Sequence, residues 1–95
     1  MSKKVRRIDY SKQFDKQLRK APLEIKIALR NRLAIFIQDP FHPQLNNHSL
    51  TGILKGFRSI NVTGDWRAIY KEQGSHGDDL VVIFEMLGTH SQLYK

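Results

Sequence analysis

The chain has 95 residues, 40% of them hydrophobic, and its 16 Lys+Arg against 9 Asp+Glu give a formal net charge of +7. That length allows one domain with a single modest core, and no apolar run is long enough to span a membrane. Cysteine is absent, which excludes disulfides, thiolate chemistry and a cysteine-bearing zinc site.

The basic N-terminus, MSKKVRRIDYSK, is not followed by an apolar segment, so it does not read as a secretory signal. A cytoplasmic protein is the simplest reading. The positive balance favours polyanionic or acidic partners: RNA, DNA or an acidic protein.

In chain order, residues 4–9 read as a short strand with Val5 and Ile8 as its apolar members. Ser11 is placed to cap a helix on which Phe14 and Leu18 share a face. Pro22 suits the first turn of a second helix. There Ile25, Leu29, Leu33 and Ile37 recur at four-residue spacing, with Phe36 widening the stripe. Asp39-Pro40 ends that helix, because the residue before proline resists the helical region. The two helices form a hairpin with one apolar face to cover.

Residues 40–56 read as a loop pinned by Leu45, Leu50, Ile53 and Leu54. Phe57 to Val62 is the first of three further strands, turning through Thr63-Gly64-Asp65 into a second from Trp66 to Lys71. Gln73 to Asp79 reads as an exposed connection. Leu80 to Leu87 is almost wholly apolar, as expected of a central strand buried on both faces. The order β-α-α-β-β-β implies an α+β fold. Its twisted, mostly antiparallel sheet carries the N-terminal α-hairpin on one face and leaves the other open.

Polar residues gather from His48 onward. On the strand after the turn, Arg67, Ile69 and Lys71 share one face, while Trp66, Ala68 and Tyr70 share the other. On the strand before it, Asn61 looks across the open face if Ile60 and Val62 pack on the helices. Arg58 then falls on the core side, unless a bulge resets the register. Tyr70 reads as core, and Trp66 as either core or a stacking platform. Asp65 is an ordinary turn residue by its context. His42 and His76 read as loop residues, and no histidine spacing suggests a metal site.

The motifs Leu50-x-Gly52, Lys55-Gly56-Phe57-Arg58-Ser59, Gly64-Asp65-Trp66-Arg67-Ala68-Ile69-Tyr70 and Gly88-Thr89-His90-Ser91-x-Leu93-Tyr94 follow one another in the order seen in the RelE/ParE toxin superfamily. Within it the chain most resembles the YafQ branch. The resemblance implies a toxin of a type II toxin–antitoxin system that cuts mRNA in the 30S A site of the ribosome, without metal or other cofactor. It also implies a cognate acidic antitoxin that wraps the basic helices in a hetero-oligomeric complex.

By the same resemblance His48, Asp65, Arg67 and His90 stand at catalytic positions, and Tyr94 falls where the family has an aromatic. Lys55, Arg58, Asn61, Trp66 and Tyr94 would bind substrate. Two positions depart: Asn61 replaces an active-site histidine, and Met86 replaces an arginine. Metal-free RNA cleavage needs a base for the 2′-hydroxyl, an acid for the leaving oxygen, and cations for the developing phosphorane charge. Two histidines suit the first two roles and Arg67, with Arg58 or Lys55, the third. The alternatives are a ParE-like toxin that binds DNA gyrase, and a catalytically weakened homologue acting in a repressor complex.

Overall fold

The computed structural model describes residues 4–77 and 79–94. Strand β1 (Lys4–Tyr10) leads into helices α1 (Lys12–Lys20) and α2 (Leu23–Gln38). Two 3₁₀ turns, Pro43–Leu45 and Gly52–Leu54, flank a two-residue strand, β2 (His48–Ser49). Strands β3 (Arg58–Asn61), β4 (Trp66–His76) and β5 (Asp79–Thr89) follow, and a single helical turn, α3 (His90–Leu93), comes last. The strands form one sheet in the order β1-β5-β4-β3-β2, with β1 parallel to β5 and the other pairs antiparallel. The fold is therefore α+β, with β2 and α3 added to the elements legible in the sequence.

The helices form where capping and periodicity place them. Ser11 accepts a bond from the Phe14 amide at 3.0 Å and donates to the Glu85 carbonyl at 3.0 Å, so the cap also ties α1 to β5. Pro22 precedes α2 as its cap residue instead of entering the first turn. On α2 the buried seam is Ile25, Leu29 and Phe36, while Leu33 is half-buried and Ile37 exposed. At 3.6 residues per turn a four-residue spacing drifts, so Ile37 lies roughly 120° around the helix from Ile25 whereas Phe36 returns to the seam.

Under the helices, Phe14, Phe36, Tyr70 and Phe84 are fully buried. Phe36 and Tyr70 rings meet edge-on at 5.0 Å, and Phe84 touches both at 5.4 and 5.3 Å. Such pairings add to the burial of large apolar area.

Three expectations about the strands and loop are corrected. First, residues 73–76 and 79 belong to strands, not to an exposed connection. The hairpin runs on through a register shift between Glu72 and Gly74, and turns at Gly77, whose φ of 65° suits glycine. Second, β5 is paired on both edges but not buried on both faces. Leu80, Val82 and Phe84 are buried under the helices, whereas Val81 and Ile83 are half-buried on the opposite face. Third, Leu45 pins the loop, but Ile53 is 98% exposed, lifted out by the turn that begins at Gly52 (φ 66°).

A further register shift separates Ile69 paired with Met86 from Tyr70 paired with Phe84, leaving Glu85 as an extra residue in β5. The bulge turns Leu87 into the core and Met86 to the opposite face. Beyond it β1 has ended, and α1 takes over the edge of β5: Gln17 Oε1 accepts a bond from the Leu87 amide at 2.8 Å. Among the described residues no helix is long and apolar enough to cross a membrane.

Burial pushes the phenol of Tyr70 above its ordinary 10.0, and burial with the nearby Asp15 carboxylate does the same for Tyr10. The folded chain thus holds these protons more tightly than the unfolded chain. Their contribution to stability is full below pH 10.0 and is lost as pH rises toward the raised folded values. Urea unfolding between pH 8 and 12 should show stability falling above about pH 10, with a shallower fall in Tyr70→Phe. Identical slopes in the two proteins would refute the assignment to Tyr70.

Candidate active site

Ladder partners in an antiparallel sheet point to the same side, so the register assigns side chains to the face away from the helices. One row crosses the sheet as His48, Ser59, Ile69 and Met86, and the next as Asn61, Arg67 and Gly88. Ser59 and Ile69 are fully buried, yet Ile69 stands outside the cluster under the helices. The Gly52–Leu54 turn and the C-terminal residues Leu93 and Tyr94 approach one another at a shared hollow lined also by Thr51. Lys71 lies over the Phe57 ring at 5.7 Å and adds a second cation to Arg67's face.

His48 stands on β2, at the sheet edge, exposed. Its Nδ1 lies 2.8 Å from the Asn46 carbonyl oxygen. A carbonyl can only accept, so Nδ1 carries the proton and the Nε2 lone pair is free in the neutral ring. Asn46 adopts a left-handed conformation (φ 46°, ψ 47°), one that asparagine tolerates better than most residues.

The β3–β4 turn and α3 form the second half of the site. Thr63 Oγ1 accepts a bond from the Trp66 amide at 3.1 Å, and Nη1 of Arg67 donates to the carbonyls of Thr63 and Gly64 at 3.2 Å each. The guanidinium is thereby held at the turn, with its other N–H groups unbonded among the described residues. The Asp65 carbonyl accepts a bond from the His90 amide at 3.0 Å, which joins the turn to the start of α3. Thr89 and Gln92 form a reciprocal capping box around that helical turn. The rings of His90 and Tyr94 meet at 4.6 Å.

A profile of the family described as "Bacterial toxin of type II toxin-antitoxin system, YafQ" matches residues 6–95. The chain belongs to the YafQ toxin family. It is 32% identical over 93 residues to the mRNA interferase toxin YafQ of Escherichia coli K12, covering 94% of this chain and 96% of that protein. The crystal structure of YafQ from E. coli BL21(DE3) superposes with a TM-score of 0.70 at 28% identity, covering 93% of this chain and 97% of the other. The toxin–antitoxin complex RelBE2 of Mycobacterium tuberculosis shares the fold, with a TM-score of 0.71 at 17% identity and coverage of 96% and 95%.

In this YafQ-family chain Asp65, Arg67, His90 and Tyr94 come together around the turn, and Asn61 lies opposite Arg67 on the same face. His48 is one row down and two strands from Arg67, roughly 10 Å across the sheet. Lys55 is exposed at the end of the Gly52–Leu54 turn. Arg58 and Trp66 lie elsewhere. Arg58 points to the helix side, over the Phe41 ring at 5.2 Å, with its Nε donating to Asn47 at 2.8 Å. Trp66 packs half-buried against the helix-side core, beside Gln17, Ala21 and Leu87. His42 caps the first 3₁₀ turn, its Nδ1 accepting from the Gln44 amide at 3.1 Å; the side chain of His76 lies outside the described residues.

Asn47 and Ser59 carry little signal in the sequence: the one is half of an Asn-Asn pair in a loop, the other a small residue in the Lys55–Ser59 motif. If the capping box holds α3 in place, Thr89→Ala should cost about 1 kcal/mol. Hydrogen exchange should speed at the Gln92 amide, whose side-chain acceptor is lost. Unchanged exchange there would mean that α3 is held by other contacts.

Proposed function

We propose that this toxin is an mRNA interferase that cleaves mRNA in the ribosomal A site and is silenced by an acidic antitoxin. The observation that carries the reading is the single sheet face on which His48, Asn61 and Arg67 stand in adjoining rows, with the His90 backbone tied to the adjoining turn by its bond to Asp65.

Nε2 of His48 takes the 2′-hydroxyl proton, and the oxygen so freed attacks the adjacent phosphorus. His90 protonates the departing 5′-oxygen, leaving a 2′,3′-cyclic phosphate and a 5′-hydroxyl. Arg67 binds the non-bridging oxygens as their charge grows, and its anchorage to the turn spares reorganisation during the reaction. Asp65 orients the region around His90, Asn61 and Lys55 hold the RNA backbone, and a base rests on Tyr94. Trp66 and Arg58 support the strands from below, because their side chains face the helices.

Cleavage on programmed ribosomes tests this. Arg67→Ala should lower the rate about 100- to 1,000-fold and His48→Ala or His90→Ala about 100- to 10,000-fold, with cuts confined to the A-site codon. Asn61→His should raise the rate by restoring a titrating group beside Arg67. Native protein that leaves the message intact but inhibits gyrase supercoiling would sink the proposal in favour of a ParE-like action.

The antitoxin is supported by the E. coli DinJ–YafQ toxin–antitoxin complex, whose toxin is 28% identical to this chain with a TM-score of 0.67. On this chain α2 exposes Leu23 (72%), Ile27 (51%) and Ile37 along its outer side, among basic residues of a chain with net charge +7. An acidic, amphipathic antitoxin segment matches that surface in both respects. Ile27→Asp should weaken antitoxin binding about tenfold in calorimetry while ribosomal cleavage stays at the native rate. Native affinity in that variant would place the antitoxin elsewhere.

A further inference from the structure

We infer that Asn47 is the positioning residue of the site: it locks the Asn46–His48 turn so that the His48 imidazole keeps its proton on Nδ1 and offers Nε2 to substrate. The inference rests on the reading of His48 as the base.

Every polar atom of the Asn47 amide is used, and the partners fix which atom is which. Arg58 Nε can only donate, so the acceptor 2.8 Å away is Oδ1. The Pro40 carbonyl can only accept, so Nδ2 is the donor at 2.8 Å, and the same Nδ2 reaches the Tyr70 hydroxyl at 2.7 Å. These anchors are rigid. Tyr70 is 0% exposed within the aromatic cluster, Pro40 is fully buried, and the Arg58 guanidinium carbon lies 5.2 Å from the centre of the Phe41 ring. The bonds therefore tie residue 47 to the buried turn that follows α2, to the central strand β4 and to the neighbouring strand β3 together.

His48 itself has little else to hold it. It sits on a two-residue edge strand paired only with β3, and its side chain is exposed. Successive residues of a strand point to opposite sides, so Asn47 reaches into the helix side while His48 rises on the open face. Fixing the one fixes the direction of the other. The same anchorage holds Asn46 left-handed, with its carbonyl aimed at His48 Nδ1. Unrestrained histidine favours the proton on Nε2, the nitrogen that here must be free to accept. An oriented turn thus selects the reactive tautomer.

The test uses the full chain labelled with ¹⁵N-histidine and reads long-range ¹H–¹⁵N correlations of the neutral His48 ring, assigned with His48→Gln. Native protein should show Nδ1 protonated and Nε2 bare. Asn47→Ala should move the ring toward the Nε2–H form and lower kcat on ribosomes about 100-fold, with KM little changed. Tyr70→Phe keeps the ring in the core and removes one of the two acceptors of Nδ2, so it should shift both readouts the same way by less. It also decides the matter if Asn47→Ala fails to fold. An Nε2–H ring in the native protein, or native tautomer and kcat in both variants, would overturn the inference. If the tautomers behave as described while native protein cuts nothing, the endonuclease reading falls and the positioning of His48 stands.

Discussion

The site depends on one extra residue in β5. Without Glu85 as a bulge, strict alternation after Phe84 would send Met86 into the core and Leu87 out of it, and would invert everything that follows. With it, Leu87 closes the core under α1, Gly88 falls opposite Arg67, and Thr89, the cap of α3, pairs with Trp66. Gly88 is closely covered: a Cβ there would press on Gln92 Oε1 at 3.0 Å and Leu93 at 3.3 Å, so side chains of the capped turn would have to give way. Past Tyr10 strand β1 no longer pairs with β5, and the Ser11 cap and Gln17 of α1 take up the Glu85 carbonyl and the Leu87 amide on that edge. Capping a helix and presenting His90 are therefore parts of one arrangement.

The two faces of the sheet divide the labour. On the helix side large aromatics pack edge to face, and the polar groups there are bonded to one another through Asn47. On the other side Ile69 and Met86 share their row with His48 and Ser59, and the face also carries the cations Arg67 and Lys71, with the Gly52–Leu54 turn approaching Leu93 and Tyr94 nearby. A polyanion approaching this side meets positive charge before it meets shape, which suits a protein with sixteen basic residues. Arg58 could have joined that field but is diverted to hold Asn47 and Phe41.

Local patterns made the helices legible: Ser11 before Phe14 and Leu18, and Ile25 with Leu29 on the next turn, state their own geometry. The alternation of Trp66, Ala68 and Tyr70 against Arg67 and Ile69 likewise separates two faces, whereas the side taken by Arg58 stays open in the sequence and is fixed by its pairing with Tyr70. What stayed hidden has no local signature. Two residues, His48 and Ser49, become a strand only because β3 lies beside them. Gly74 and Ser75 extend a hairpin that their own propensity argues against. The bulge at Glu85 cannot be seen in an unbroken apolar run. His48, Asp65 and His90 were picked out by family resemblance, whereas Asn47 acts through partners 7, 11 and 23 residues away.

Two asparagines show how the site differs from its support. Asn47 satisfies its whole amide and holds the loop. Asn61 buries its Oδ1 with no hydrogen-bond partner among the described residues, as do the hydroxyls of Ser59 and Tyr94. An unmet buried polar atom costs about 1–3 kcal/mol, and native chains carry few. The three found here are not scattered: Ser59 and Asn61 lie in adjoining rows of the open face, and the Tyr94 ring meets that of His90 at a tilt of 60°. A core error would fall among Phe14, Phe36 and Phe84, where every neighbour is apolar or bonded. All three unmet atoms are shut off from solvent, so their desolvation is a cost the fold itself carries, and it falls on the side of the sheet that bears His48 and Arg67 instead of in the aromatic core.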